Sequence, residues 1–183
     1  MKHFFFIIAF LVGLYSTTHA QYEKLEITEL NYRSINRDDT IATFHVVNSK
    51  DICKAKSDKT YYWFKTNTIL ITTGGFDGWV LDGIYKSSYP NKNLNEWGYF
   101  KNGLKCEEWK SWYPSGKIRT IVNWRKGEKS GLSETYYENG NLQQTSYYKA
   151  DKLNGTVIDF DIDGKETKTI YKHGIQHAAK AKK

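Results

Sequence analysis

A step of 24 residues governs most of this sequence. Tyr89-Pro90-Asn91-Lys92, Tyr113-Pro114-Ser115-Gly116, Tyr137-Glu138-Asn139-Gly140 and Asp161-Ile162-Asp163-Gly164 each begin 24 residues after the one before. Both prolines of the chain fall at the same repeat position. Further columns keep the step: Gly83, Glu107, Gly131 and Gly155; Leu94, Ile118 and Leu142; Phe100, Trp124 and Tyr148; Trp112, Tyr136 and Phe160. Gly103, Gly127 and Asp151 mark a second turn in each copy. A fixed period of this length is the signature of a repeat architecture whose units bury their apolar columns against one another.

The content of each unit fixes its type. Asn139-Gly140 and Asp163-Gly164 favour positive φ at both centres of a tight hairpin turn. Tyr113-Pro114-Ser115-Gly116 provides a different turn, with proline fixing φ and glycine relieving it. Between turns lie segments rich in Tyr, Trp, Thr, Ile and Val, which are strand formers. Two strands and two turns account for one copy, giving hairpins at about 107–113 with 117–124 and 131–137 with 141–148. Trp63 to Ile69 parallels Trp112 to Ile118 and predicts a degenerate first hairpin at about 60–75, making five. A lone hairpin is marginal in water, so the units must stack. The expected fold is all-β: stacked antiparallel β-hairpin repeats forming an elongated, twisted single sheet.

Residues 21–59 lack the repeat and carry a strand candidate at Ile41 to Val47, with a weaker one at Leu25 to Leu30. They are expected to cap the first hairpin. The organisation read from the chain is a signal peptide at 1–20, this capping segment at 21–59, the repeat domain at 60–175 and a basic tail at 176–183. The signal reading rests on Lys2 and His3, the apolar run Phe4 to Leu14, and small residues Thr18 and Ala20 before the cut. That run of 11 residues is shorter than the roughly 20 a membrane-spanning helix needs. An exported protein, periplasmic or extracellular and without a transmembrane segment, is expected.

Here the residues carry a family likeness. Gly131 to Gly140, with its Tyr-Tyr-Glu-Asn-Gly ending, resembles the variant MORN repeat. Glu108 to Lys117 is an equally close match. The chain looks like the exported bacterial proteins with these repeats known as YwqK-type antitoxins. The resemblance implies stacked hairpins and an interaction role, without catalysis. Glu107 in a glycine column and Lys92 in place of a turn glycine depart from the pattern.

Charge and chemistry narrow the function. The formal net charge is +7, but acidic and basic residues alternate through most of the chain, as on an ordinary soluble surface. Only Lys172 to Lys183 is plainly basic, and nucleic acid is not an expected partner. Asp159-Phe160-Asp161-Ile162-Asp163-Gly164 starts like a calcium loop, yet Ile170 stands where the twelfth-position glutamate is needed. His45, His173 and His177 lie in no nucleophile motif, and His173 and His177 are four apart, a spacing that shares a helix face. No catalytic residue, metal or cofactor is expected. Cys53 and Cys106 allow one disulfide in an oxidising compartment; two free thiols are the alternative, since pairing is not legible in sequence.

Aromatics remain. All six Trp fall between positions 63 and 124. A one-layer sheet cannot cover both faces, so alternation places Trp97 and Tyr99 opposite Leu94 and Phe100, with Trp109 nearby and Tyr147 continuing that side. Such rings beside Lys101, Arg119 and Arg125 suit docking of a protein partner. A glycan, an anionic envelope polymer or lipid is the alternative ligand, and cross-strand ring packing the structural one.

Overall fold

The computed structural model describes residues 31–37, 39–52 and 54–177. The expected signal peptide, the strand candidate Leu25 to Leu30, Cys53 and residues 178–183 lie outside them. The strands make up the unit Arg33–Lys183, the first of them beginning one residue earlier, at Tyr32. It opens with β1 (Tyr32–Arg37), β2 (Thr40–Asn48) and one 3-10 turn, Ser49–Asp51, followed by β3 (Thr60–Lys65) and β4 (Thr68–Thr73). The repeats run through β5 (Trp79–Ser88), β6 (Leu94–Lys101), β7 (Leu104–Trp112), β8 (Ile118–Arg125), β9 (Glu128–Tyr136) and β10 (Leu142–Lys149). The chain continues as β11 (Lys152–Leu153), β12 (Gly155–Phe160), β13 (Glu166–Lys172) and β14 (Ile175–His177). The 14 strands of the described residues belong to one open antiparallel sheet, whose main path of 11 runs β1-β2-β5-β6-β7-β8-β9-β10-β12-β13-β14; β11 joins it at β10 and the β3–β4 hairpin at β5. The all-β stack of hairpins is therefore as the period predicts. No helix among the described residues is long and apolar enough to cross a membrane.

Two kinds of turn alternate along the stack. In the turns starting at Tyr89, Tyr113, Tyr137 and Asp161, the first residue's N–H donates to the fifth residue's carbonyl, and the fourth N–H donates back to the first carbonyl. Positive φ occurs only at the fourth position: Lys92 at 69°, Gly116 at 85°, Gly140 at 98° and Gly164 at 83°. This corrects the expectation of two different turns. Pro90 and Pro114 cannot take positive φ, and the copies with Glu138 and Ile162 adopt the same shape. The turns with positive φ at both centres lie at the opposite rim, at Asn102-Gly103, Lys126-Gly127, Ala150-Asp151 and His173-Gly174.

The column Gly83, Glu107, Gly131, Gly155 has φ of 108°, 62°, 109° and 146°. At Glu107, β7 runs two residues further than β6 between the pairs Trp97↔Lys110 and Tyr99↔Cys106. The column is thus a β-bulge repeated in every copy, which bends each strand and re-aims the side chains beyond it.

Neighbouring copies are tied at both rims. Tyr89, Tyr113 and Tyr137 donate their hydroxyls to the carbonyls of Trp112, Tyr136 and Phe160 at 2.9, 2.8 and 2.9 Å. At the other rim the N–H groups of Gly103, Gly127, Asp151 and Gly174 donate to the carbonyls of Leu81, Lys105, Lys129 and Leu153.

The core lies on one face at the start of the array, where Phe44, Tyr85, Phe100 and Trp109 pack with Ile35, Val46, Ile69 and Leu81. Trp109 lies over Gly98, where a Cβ would meet the indole at 2.2 Å. The predicted hairpin at 60–75 exists, but it is not a copy in the stack. β2 pairs with β5 over nearly its whole length, from Ile41↔Ser88 to Asn48↔Trp79. β3 touches β5 only at Trp63↔Val80 and Phe64↔Trp79. The β3–β4 hairpin instead packs on the core, with Tyr62 at 4.9 Å from Phe100 and Phe64 at 5.5 Å from Phe44. The capping strand, predicted at Ile41 to Val47, accordingly covers the edge of β5 and not the first hairpin.

Glu107→Gly should stabilise the fold by about 0.5–1 kcal/mol, since relief of a left-handed non-glycine residue exceeds the added unfolded-state entropy. Gly98→Ala should cost about 1–3 kcal/mol by overpacking against Trp109. Urea denaturation of the two variants reads both signs.

Candidate functional site

Outside the core, the strands present a second face. The registers align Lys86, Trp97, Lys110, Ile121, Glu134, Thr145, Ile158 and Lys168 as one cross-strand row. Beside it lie Ile84 opposite Tyr99, Leu132 opposite Tyr147, and Thr156 opposite Ile170. Ile84 is 49%, Trp97 37%, Leu132 45% and Tyr147 50% exposed, so apolar side chains reach solvent along several copies. Charged neighbours interleave them. Lys101 bridges to Asp82 at 3.2 Å, and Asp82 also accepts from the Asn102 N–H at 2.7 Å. Lys110 pairs with Glu108 at 2.7 Å.

Of the residues read from sequence, Trp97, Tyr99, Lys101 and Tyr147 share this open face, and exposed Arg125 sits at its rim opposite Glu128. Trp109 does not: it is 4% exposed on the packed face, between Tyr85 and Phe100 at 5.7 and 4.9 Å. Lys110 stands opposite Trp97, so its neighbour Trp109 must point the other way. Arg119 also turns aside. The register shift between Ser111 and Trp112 frees it to donate from Nε to the Ser111 hydroxyl at 3.2 Å.

The aliphatic members Ile84 and Leu132 are exposed on this face without a ring or a charge to mark them in the sequence. Their signal is the column after each bulge: Ile84, Glu108, Leu132, Thr156.

The remaining chemistry is local. The Cys106 thiol is free and half-buried, donating to the Tyr99 carbonyl at 3.5 Å. Burial pushes its pKa up, and the Glu107 and Asp82 carboxylates add to the rise, so the thiolate nucleophile is disfavoured. The expected partner, Cys53, lies outside the described residues. In the Asp-rich run, Asp161 accepts from the N–H groups of Asp163 and Lys165, and Asp159 accepts from Gln144 at 2.7 Å. These carboxylates serve the turn and the sheet. His173 occupies a tight turn and His177 ends β14, so the helix face suggested by their spacing does not exist.

An open sheet of hairpins that contact mainly their neighbours defines a repeat protein with extended faces. Residues 108–126 and 129–150 match the MORN repeat variant. These two segments are MORN-type repeats. No curated protein matches it.

Trp109→Ala should cost about 3–5 kcal/mol, as for a buried ring in a close-packed core. Trp97→Ala and Tyr147→Ala should each change stability by less than about 1 kcal/mol. Thermal melts of the three variants separate the two faces.

Proposed function

We propose that the chain is an exported, non-catalytic repeat scaffold that docks a partner protein through its open face. The observation that carries this reading is the exposed series Ile84, Trp97, Leu132 and Tyr147, flanked by Lys101, Lys110 and Arg125. The series forms two apolar patches, Ile84 with Trp97 and Leu132 with Tyr147, with Lys110 on the strands between them. Exposed apolar patches rimmed by charge mark interaction sites, and Trp and Tyr concentrate binding energy because they offer large area at small entropic cost. Export rests on the Lys2, Phe4 to Leu14 and Ala20 pattern. Kinship with the YwqK-type antitoxin proteins rests on Gly131 to Gly140 and Glu108 to Lys117. The protonated Cys106 thiol fits a role without covalent chemistry.

A second reading, glycan binding in the envelope, draws on the same flat rings, since Trp97 and Tyr147 can each stack on a sugar. Cross-linking the tagged protein in its native cell, followed by mass spectrometry, decides between them. One dominant protein partner is expected, with capture reduced about tenfold or more by Trp97→Ala and Tyr147→Ala together. Recovery of cell-surface polysaccharide without a protein overturns the scaffold reading.

A further inference from the structure

The packed face carries an unusual column. Leu81, Lys105, Lys129 and Leu153 follow the 24-residue step, so two central copies place amines where the flanking copies place leucine. Aromatic rings surround both. Lys105 Nζ lies 3.7 Å from the Trp109 ring centroid and 5.4 Å from those of Tyr62 and Trp124. Lys129 Nζ lies 5.9 Å from the Trp124 ring and 5.1 Å from the Tyr148 ring. The ring faces attract the cations, but they supply no hydrogen-bond acceptor of full charge.

Lys105 fronts a pocket of about 240 Å³, lined also by Thr60, Tyr62, Trp124, Gly127 and Asp151. Two of the nearby carboxylates are already engaged. Lys59 is paired with Glu128, and Asp151 accepts from the Lys129 backbone N–H at 2.7 Å. Among the described residues, no ion pair includes Lys105 or Lys129. Burial holds the Lys105 pKa below its usual range; Glu96 opposes this, while Lys129 and Arg37 add to it. A half-buried ammonium that feels the Glu96 carboxylate only from beyond ion-pair distance is an incompletely compensated charge.

We propose that this pocket binds a carboxylate attached to a flat apolar group, the carboxylate on Lys105 Nζ and the apolar part against Trp124 and Tyr62. Lys129 strengthens the positive potential from the next copy. Asp151 on the rim disfavours a dianion, so a singly charged carboxylate suits the site better than phosphate. The carboxylate comes either from a small free acid or from the chain end of a polypeptide. The pocket lies on the face opposite Trp97 and Tyr147 and does not depend on the partner reading.

Benzoate titrated into the full-length protein, followed through the Lys105 side-chain and Trp124 indole NMR signals, tests the assignment. Saturable shifts are expected, together with an upward move of the Lys105 pKa, which needs no variant. Lys105→Met, which retains an unbranched apolar chain, should weaken binding about tenfold or more. Lys129→Met should weaken it by a smaller factor, roughly two- to fivefold. Benzyl alcohol, with the same ring and no charge, should not saturate. A short peptide ending in phenylalanine, as free acid and as amide, distinguishes the two sources: acid tighter than benzoate assigns a chain end, and weaker assigns a small acid. No saturation with either acid, equal binding of benzyl alcohol, or benzoate affinity unchanged in Lys105→Met overturns the proposal. Preference for inorganic phosphate over benzoate overturns it as well.

Discussion

Each of three successive turns begins with a tyrosine whose hydroxyl reaches the backbone carbonyl 23 residues further on. That bond sets the length of a copy, because a hairpin longer or shorter by one residue would carry the carbonyl out of reach or turn it to the other side of the strand. The acceptors are the backbone oxygens of the aromatic column Trp112, Tyr136 and Phe160, so one contact unites two columns of the sequence. Where the tyrosine is replaced, the spacing loosens. Asp161 spends its carboxylate on its own turn, and the next tight turn, His173-Gly174, comes one residue ahead of the period. The drift shifts Ile170 onto the open face opposite Thr156, although its column elsewhere, Gly98, Val122 and Ser146, belongs to the packed face.

The repeated bulge divides the sheet into two unlike surfaces. Its left-handed residue adds length to one strand where a hairpin meets the strand before it, and the side chains just beyond it, Tyr85, Trp109, Ser133 and Val157, all become buried. Their size falls along the array, from two rings to a serine and a valine. The bulkiest copies lie where the β3–β4 hairpin supplies a second layer through Tyr62 and Phe64. Later copies rely on lysine stems and rings, with Lys129 spanning Trp124 and Tyr148. A lysine stem covers apolar surface while its ammonium seeks water or an anion, which is how a structural column comes to carry ligand chemistry at Lys105.

Period, hairpins and turn positions were legible because each is encoded locally. The strands expected at 117–124 and 141–148 correspond to Ile118–Arg125 and Leu142–Lys149. Facing was harder. Alternation carries a side-chain assignment only along a regular strand, and Glu107 conceals a bulge that glycine would have advertised, so alternation alone does not put Trp109 on its packed face. Arg119 left its face for the same kind of reason, a register shift beside Ser111. The β3–β4 hairpin looked like a repeat because its local pattern is one. Its exclusion from the stack follows from β2 holding the edge of β5, a pairing between segments some 40 residues apart that no local pattern records.

The open face has to remain soluble while exposing isoleucine, tryptophan, leucine and tyrosine. Its central row answers this by alternating kinds: Lys86 before Trp97, Lys110 before Ile121, then Glu134, and Lys168 after Ile158. Charges at these spacings break any uniform apolar strip that a second sheet could cover. The terminal strand β14 is only three residues long and exposed, which limits pairing at that edge by another chain. With sheet-to-sheet association opposed in this way, the apolar residues left exposed between the charges favour a partner whose own groups match both. In the proposed docking, net charge alone would not distinguish such a partner; the order of charged and apolar side chains across successive hairpins would select it.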